Sequence, residues 1–334
     1  MRILVTGSFG HLGEALVRTL RHLNHEVIGI DLLESPFTAR IGSITDRVFV
    51  RSCMAGVQVV FHTATLHKPH IATHRRQAFV DTNISGTLTL LEEAAEAGVE
   101  SFVFTSTTSV FGDALIPPAG TPAAWVTEEI VPVPKNIYGA TKAAAEDLCQ
   151  LFHRNQRLTC IILRTSRFFP EPDDNKAARE AFADENLKVN EYLFRRVDLE
   201  DVVSAHLAAV ERAPEIGFGR YIISATTPFA SRDLGELRLD TPSVVKRYEP
   251  DFVSEYARRG WQMLPTIDRV YVNQKARAEL GWKPKYDFKF LVEQLKEGKD
   301  TRSPLARLVG SKGYHAEVYV EGPYPTEKEL GARI

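Results

Sequence analysis

A phenol and an amine four residues apart, Tyr138 and Lys142, share one face of any helix that spans them, one turn from each other. Together they suit proton transfer to or from an alcohol. A phenol of ordinary pKa, about 10, is a poor base at neutral pH and needs cations close by to hold its anion. Lys142 is one such cation, and an oxidised nicotinamide would be a second. Upstream lies a run of hydroxyls, Ser106, Thr107, Thr108 and Ser109, able to bond the same substrate oxygen. Nearer the start, Gly7, Gly10 and Gly13 have GxxGxxG spacing, with Asp31 about twenty residues after them. The first glycine permits a sharp turn, the second admits a pyrophosphate against bare backbone, and the third lets a helix pack closely on a sheet. A carboxylate at Asp31 accepts from a ribose 2′-OH and repels a 2′-phosphate, which favours NAD over NADP. The chemistry expected is removal of a hydroxyl proton by Tyr138 while hydride passes to the cofactor.

Two further sets have a chemical reading beside a plain one. His67, His70 and His74 have spacings that could hold a metal, but no nearby cysteine or acid completes a ligand set. No metal is expected, and the segment reads as a loop over the cofactor. Arg167, Arg195 and Arg196 could grip a small anion, since guanidinium matches carboxylate or phosphate bidentately; each could equally be a surface charge.

These residues need elements to carry them. Ile3 to Val5 is an apolar run without alternation, as a central parallel strand requires, and Leu12, Leu16, Leu20 and Leu23 recur at helical spacing after the glycine turn. Val27 to Ile30 forms the second strand and Ala39 to Ile41 a short third. Val48 to Val50 has strand propensity, yet Asp46 as N-cap and Gly56 as a stop predict a helix, because a parallel sheet needs a crossover before Val59 to Phe61. A helix is predicted over 79–97, with Ile84, Leu88, Leu91 and Ala95 as one apolar stripe and Thr87, Leu90, Ala94 and Ala97 as another. The fifth strand, 101–105, delivers the hydroxyl run to its C-terminal end, where ligands bind in open α/β sheets. A Pro-rich loop leads to the helix of Tyr138. A strand follows at 159–164, then an irregular polar stretch to about 191, a helix at 197–212 and a strand at 221–224.

At 334 residues the chain can bury a full core, and 44% hydrophobic with 25% charged residues is ordinary for a soluble globule. A net charge of -2 leaves no basic footprint for nucleic acid. Cys53, Cys149 and Cys160 are widely spaced and read as reduced thiols. No apolar run nears the roughly 20 residues of a membrane span, and the N-terminus enters a strand directly, leaving no room for a signal peptide. A cytoplasmic protein with no membrane partner is expected.

Taken in order, TGSFGHLG (6–13), Asp31, VVFHTAT (59–65), Asn83 before Gly86 and Thr87, FTSTTSVFG (104–112), YGATK (138–142) and LGWKPKYDF (280–288) resemble the extended short-chain dehydrogenase/reductases. The resemblance is to their NAD-dependent sugar epimerase/dehydratase branch and is spread over about 1–285. It implies an α/β fold: a Rossmann-type doubly wound parallel sheet with a smaller C-terminal substrate lobe. Residues 1–165 plus about 196–225 would bind NAD, about 166–195 plus 226–300 would form the lobe, and 301–334 would be a tail of unassigned role. The expected dinucleotide contacts are Gly7, Phe9, Gly10, His11, Leu12 and Gly13, then Asp31, Ser43 and Ile44, then Thr63, Ala64 and Thr65. Asn83, Thr105, Tyr138, Lys142 and Arg164 complete that set. The family's alignment sets Thr107 beside the catalytic phenol, with Ser106 as the near alternative, and a homodimer would form through helices 79–97 and 138–153.

Departures from the family narrow the chemistry. Thr107 and Thr108 are not followed by the Asp-Glu pair of 4,6-dehydratases, which disfavours loss of water. Arg167 stands where relatives have an asparagine, Phe194-Arg195-Arg196 replaces Arg-Asp-Tyr, and 261–268 reads WQMLPTID in place of Arg-x-Gly-Asp. These are the usual grips on a nucleotide diphosphate. The substrate set is therefore expected to be Thr108, Arg167, Phe168, Arg195 and Arg196, meeting a sugar acid or sugar phosphate. An epimerase leads, a net dehydrogenase is the alternative, and a non-catalytic NAD-binding regulator is the reading from another class.

Overall fold

A computed structural model describes residues 1–173 and 175–313; residues 314–334 of the expected tail lie outside them. In chain order the strands are β1 (Arg2–Thr6), β2 (Glu26–Asp31), β3 (Arg40–Ile41), β4 (Val59–His62), β5 (Ser101–Thr107), β6 (Ala124–Val126), β7 (Cys160–Thr165), β8 (Phe218–Ile223) and β9 (Arg269–Tyr271). Seven make one sheet in the order β3-β2-β1-β4-β5-β7-β8, and every pairing in it is parallel. Parallel neighbours need a crossover between them, so helices cover both faces. The first eight are α1 (His11–His22), α2 (Arg47–Cys53), α3 (Arg76–Phe79), α4 (Gly86–Glu96), α5 (Ile137–Gln156), α6 (Lys176–Ala181), α7 (Asp184–Glu191) and α8 (Leu199–Ile216). One face buries Leu12, Leu16 and Leu20 of α1 with Val202, Ala205 and Ala209 of α8; the other buries Val50, Leu90, Leu91, Ala94, Ala145 and Cys149. The strand order reverses between β1 and β4, so a crevice opens at their C-terminal ends.

Local choices follow the side chains. The Asp46 carboxylate accepts from Phe49 N at 3.1 Å, and that cap lets Val48 to Val50 go helical despite their strand propensity. The helix predicted over 79–97 is α3 and α4 joined by one π-helical stretch, Val80–Ser85. Burial cuts across its two stripes. Thr87, Leu90, Leu91 and Ala94 are fully buried, Leu88 and Ala95 are only partly covered, and Ala97 is exposed. Burial is decided here by α2, whose Arg47 and Arg51 reach across to Glu92, Glu93 and Glu96.

The lobe has its own core around Val189, Leu193, Phe229, Leu237, Val244 and Phe288. The Pro-rich loop before α5 also reaches it: β6 pairs with β9 in a separate two-stranded sheet, and Ala123 is buried in the lobe. Among the described residues no helix is long and apolar enough to cross a membrane.

Candidate active site

A cavity of ≈ 970 Å³ occupies the crevice. Its floor is the glycine turn, where Gly7 has φ +71° and Gly7 N and Ser8 N donate to Ile30 O, locking β1 to β2. A Cβ on Gly7 would lie 2.7 Å from Ala64 N, and one on Gly13 would lie 1.9 Å from Gly7 O. A Cβ on Gly10 would meet only Gly7 O at 3.3 Å, so its open side faces the cavity. That is a bare backbone cradle at the start of α1, suited to a pyrophosphate. At the end of β2, Asp31 accepts from Phe9 N and Leu33 N, both at 3.0 Å, and lines the same cavity. So do Phe9, His11, Leu12, Ser43, Ile44, Thr63, Ala64, Thr65 and Thr105.

Three expected cofactor contacts do not reach the wall. Asn83, on the π-helical stretch, is buried; its Oδ1 accepts from Thr65 Oγ1 and Leu66 N, and its Nδ2 donates to Leu66 O and Thr141 Oγ1. It splints the loop after β4 to α5. Arg164 points into the interior and pairs with buried Glu146 at 2.8 Å, because an unpaired guanidinium there would be costly. Lys142 is buried with Nζ donating to Thr105 O at 2.6 Å and resting 3.9 Å over the Phe104 ring. Burial lowers its ammonium pKa to about 7 against the pull of Glu146.

Tyr138 is on the wall together with Thr107. Burial raises the phenol to about 12 while Thr107 draws it back. Thr107 Oγ1 also accepts from Ser109 N at 3.1 Å. Ser106 is committed elsewhere: its hydroxyl donates to Glu146 at 2.6 Å, which leaves Thr107 as the hydroxyl facing the phenol. Asn136 caps α5 by accepting from Gly139 N at 2.9 Å, fixing the turn that carries Tyr138. Thr105 Oγ1 lies 2.8 Å from Nε2 of buried His206, whose Nδ1 lies 2.8 Å from Val202 O. Burial drops that imidazole to about 4, so it is neutral and receives the threonine proton.

The histidines meet edge to face beside the phenol. The His67 ring lies 6.4 Å from that of Tyr138 and 4.7 Å from His70, and burial drives His67 well below the ordinary imidazole range. His70 Nδ1 accepts from His67 N at 3.0 Å, and the His74 ring meets that of His70 edge to face at 5.2 Å. Among the described residues no group of three histidines, cysteines or acids is placed to hold a metal.

The arginines depart from expectation. Glu191 accepts from Arg195 at 2.7 Å, from Arg196 at 2.9 Å and from Arg167 at 3.4 Å, and Asp173 takes Arg167 as well. Burial raises the Glu191 carboxyl, but Arg195, Arg196 and Arg167 overwhelm it and hold it at about 2. Arg167 is therefore paired within the chain, and Arg196 is buried off the wall with Nη1 on Phe169 O. Thr108, Arg167, Phe168 and Arg195 line the cavity. Sequence reading missed Glu171, Asp173, Arg269, Tyr271 and Lys312, which line it too. Glu171 and Asp173 sit in the polar stretch after β7, and only the fold turns them inward.

A profile of the NAD dependent epimerase/dehydratase family matches residues 3–221. The chain belongs to that family. Within it, the chain is 33% identical over 184 residues to a UDP-glucose 4-epimerase of Neisseria meningitidis serogroup B, covering 49% of this chain and 52% of that one. It is 35% identical over 119 residues to a 3-beta-hydroxysteroid dehydrogenase of Mycolicibacterium neoaurum, covering 33% and 32%. The chain spans 32% to 55% of the length of the first curated relatives it matches. Its fold resembles that of a short-chain dehydrogenase/reductase superfamily protein from Agrobacterium tumefaciens with bound NAD, with a TM-score of 0.62, 23% identity, and coverage of 89% and 96%.

Proposed function

We propose that this protein is an NAD-dependent enzyme that acts on a secondary alcohol of a sugar or sugar nucleotide, most directly as an epimerase. The observation that carries the reading is that Tyr138 and Thr107 share the wall of the cavity whose floor is the glycine cradle. Gly7, Gly10 and Asp31 would hold the dinucleotide, which supplies a hydride acceptor and donor when bound. Thr107 orients the alcohol oxygen, and Tyr138 takes its proton and later returns it. A phenol at about 12 is too weakly acidic to act unaided, so positive charge arriving with oxidised cofactor is what makes it competent. Asp31 favours NAD over NADP, and calorimetry should give the lower Kd for NAD.

The same wall supports an acidic substrate. Arg195 and Arg269 line it, and a guanidinium matches a carboxylate or phosphate bidentately. The net dehydrogenase is the second reading, favoured by the kinship to a hydroxysteroid dehydrogenase. A panel of free sugars, sugar acids, sugar phosphates and nucleotide sugars, followed by NADH absorbance and product NMR, separates them. Isomer exchange without net NADH marks the epimerase; NADH formed in step with substrate loss marks the dehydrogenase. No turnover despite tight NAD binding would return the non-catalytic regulator. We also assign the protein to the cytoplasm, because its three cysteines, widely spaced and odd in number, suit reduced thiols.

A further inference from the structure

After its last described helix, Pro304–Val309, the chain turns at Gly310 and runs back over the cofactor cradle. Ser311 Oγ donates to Glu171 Oε1 at 2.8 Å, Lys312 N to the same oxygen at 3.0 Å and Gly313 N at 3.3 Å. That oxygen also lies 2.9 Å from Nε2 of His11, in the first turn of α1. Burial raises the Glu171 carboxyl, yet the His11 contact prevails and holds it at about 2. Lys312 Nζ donates to Glu14 of α1 and stands 5.4 Å from the Phe9 ring. Three residues near position 312 thus tie a loop of the substrate side to the helix that opens the glycine turn. Lys312 and Gly313 form part of the same cavity wall as Gly7, Phe9 and Gly10.

The placement of Lys312 is electrostatically informative. The positive end of a helix dipole favours anions and disfavours an ammonium, and Glu14, which is shared with Arg18 at 2.7 Å, offsets only part of that. A pyrophosphate bound in the cradle would bring the anionic charge that makes the lysine favourable there. We propose that Ser311–Gly313 is a cofactor-binding clasp, with Lys312 contacting the dinucleotide pyrophosphate and Glu171 latching the clasp shut. The clasp rests on the dinucleotide reading given above and deepens it: the cofactor leaves only when the latch opens. Retention of this kind suits a reaction in which hydride goes out and returns within one turnover.

The test uses the full chain and NAD. Stopped-flow fluorescence gives association and dissociation rates for wild type, Lys312→Met and Glu171→Gln. Glu171→Gln should speed NAD release about tenfold or more by weakening the latch, and Lys312→Met should raise Kd about tenfold through loss of one charge-assisted contact. Amide exchange over 306–313 should slow when NAD is added to wild type, and this protection should vanish in Glu171→Gln. Should Glu171→Gln not fold, Lys312→Met and the exchange measurement carry the test, since methionine keeps most of the apolar stem of the partly buried Lys312. Wild-type NAD binding with unchanged rates in the folded variants, or exchange indifferent to NAD, overturns the clasp alone. Wild type that binds no dinucleotide overturns the proposed function together with it.

Discussion

At the scale of single residues the site depends on two groups held away from their ordinary protonation behaviour by burial. Tyr138→Phe removes the phenolic proton while keeping the ring that packs with Phe79 and Ile71. It should cut turnover about a hundredfold or more and leave NAD affinity nearly unchanged; a near-native rate on the substrate identified by the panel would remove Tyr138 as acid and base. Lys142 makes a prediction about stability. Its folded pKa of about 7 lies below the unfolded value of 10.5, so between those pH values the unfolded chain binds the extra proton. Cofactor-free protein should therefore gain stability from this group as pH rises from about 7, a gain offset above pH 10 where the unfolded Tyr138 ionises first. Urea titrations of wild type and Lys142→Met across pH 6 to 10 should diverge at the acid end, with the methionine variant the more stable there. Parallel curves would mean that Lys142 is not buried as an ammonium.

Elements matter through where they begin and end. The start of α5 is pressed against the end of β5: a Cβ on Gly139 would come within 2.6 Å of Ser109 O. Gly139→Ala must push the helix start outward, and Tyr138 is the preceding residue, so the phenol would move off Thr107. Displacements of this size cost catalysis far more than binding. The expected outcome is a kcat lowered about tenfold or more with NAD affinity close to wild type, and equal losses in both would point to a collapsed cradle. The π-helical stretch Val80–Ser85 is the other junction of this kind, since it turns Asn83 toward both the loop after β4 and Thr141 of α5.

For the whole molecule, the dimer expected through α4 and α5 needs a different surface from the one the stripes suggest. Leu90 and Ala94 are inside the subunit, so the contact would use Leu88 and Ile84 with Ala144, Leu148 and Leu151, of which Leu151 is 46% exposed. We propose a homodimer on that face, and sedimentation at micromolar concentration should give twice the mass of one chain. Leu151→Glu should then yield monomers that still bind NAD. A wild-type monomer would exclude this interface.

The parallel strands, the cradle and the Tyr138–Lys142 helix were legible in the sequence because each is written in local spacing: apolar runs for buried parallel strands, glycines where backbone must come close, one turn between two side chains; their assembly into a doubly wound sheet was implied by the family resemblance. The helix at Arg47–Cys53 was legible for a related reason, since sheet connectivity required it and Asp46 could cap it. Tertiary structure alone decided which of several similar residues takes a role. Ser106 and Thr107 are adjacent hydroxyls, and only the buried Glu146 beside one of them leaves the other for Tyr138. Arg167 is paired by Asp173 and Glu191, 6 and 24 residues away along the chain, once these fold against it. Glu171 and Lys312 meet over the cradle although 141 positions separate them. Charge pairing is set by distance in space and by the loss of water around both partners, and neither quantity is encoded in the spacing of residues along a chain.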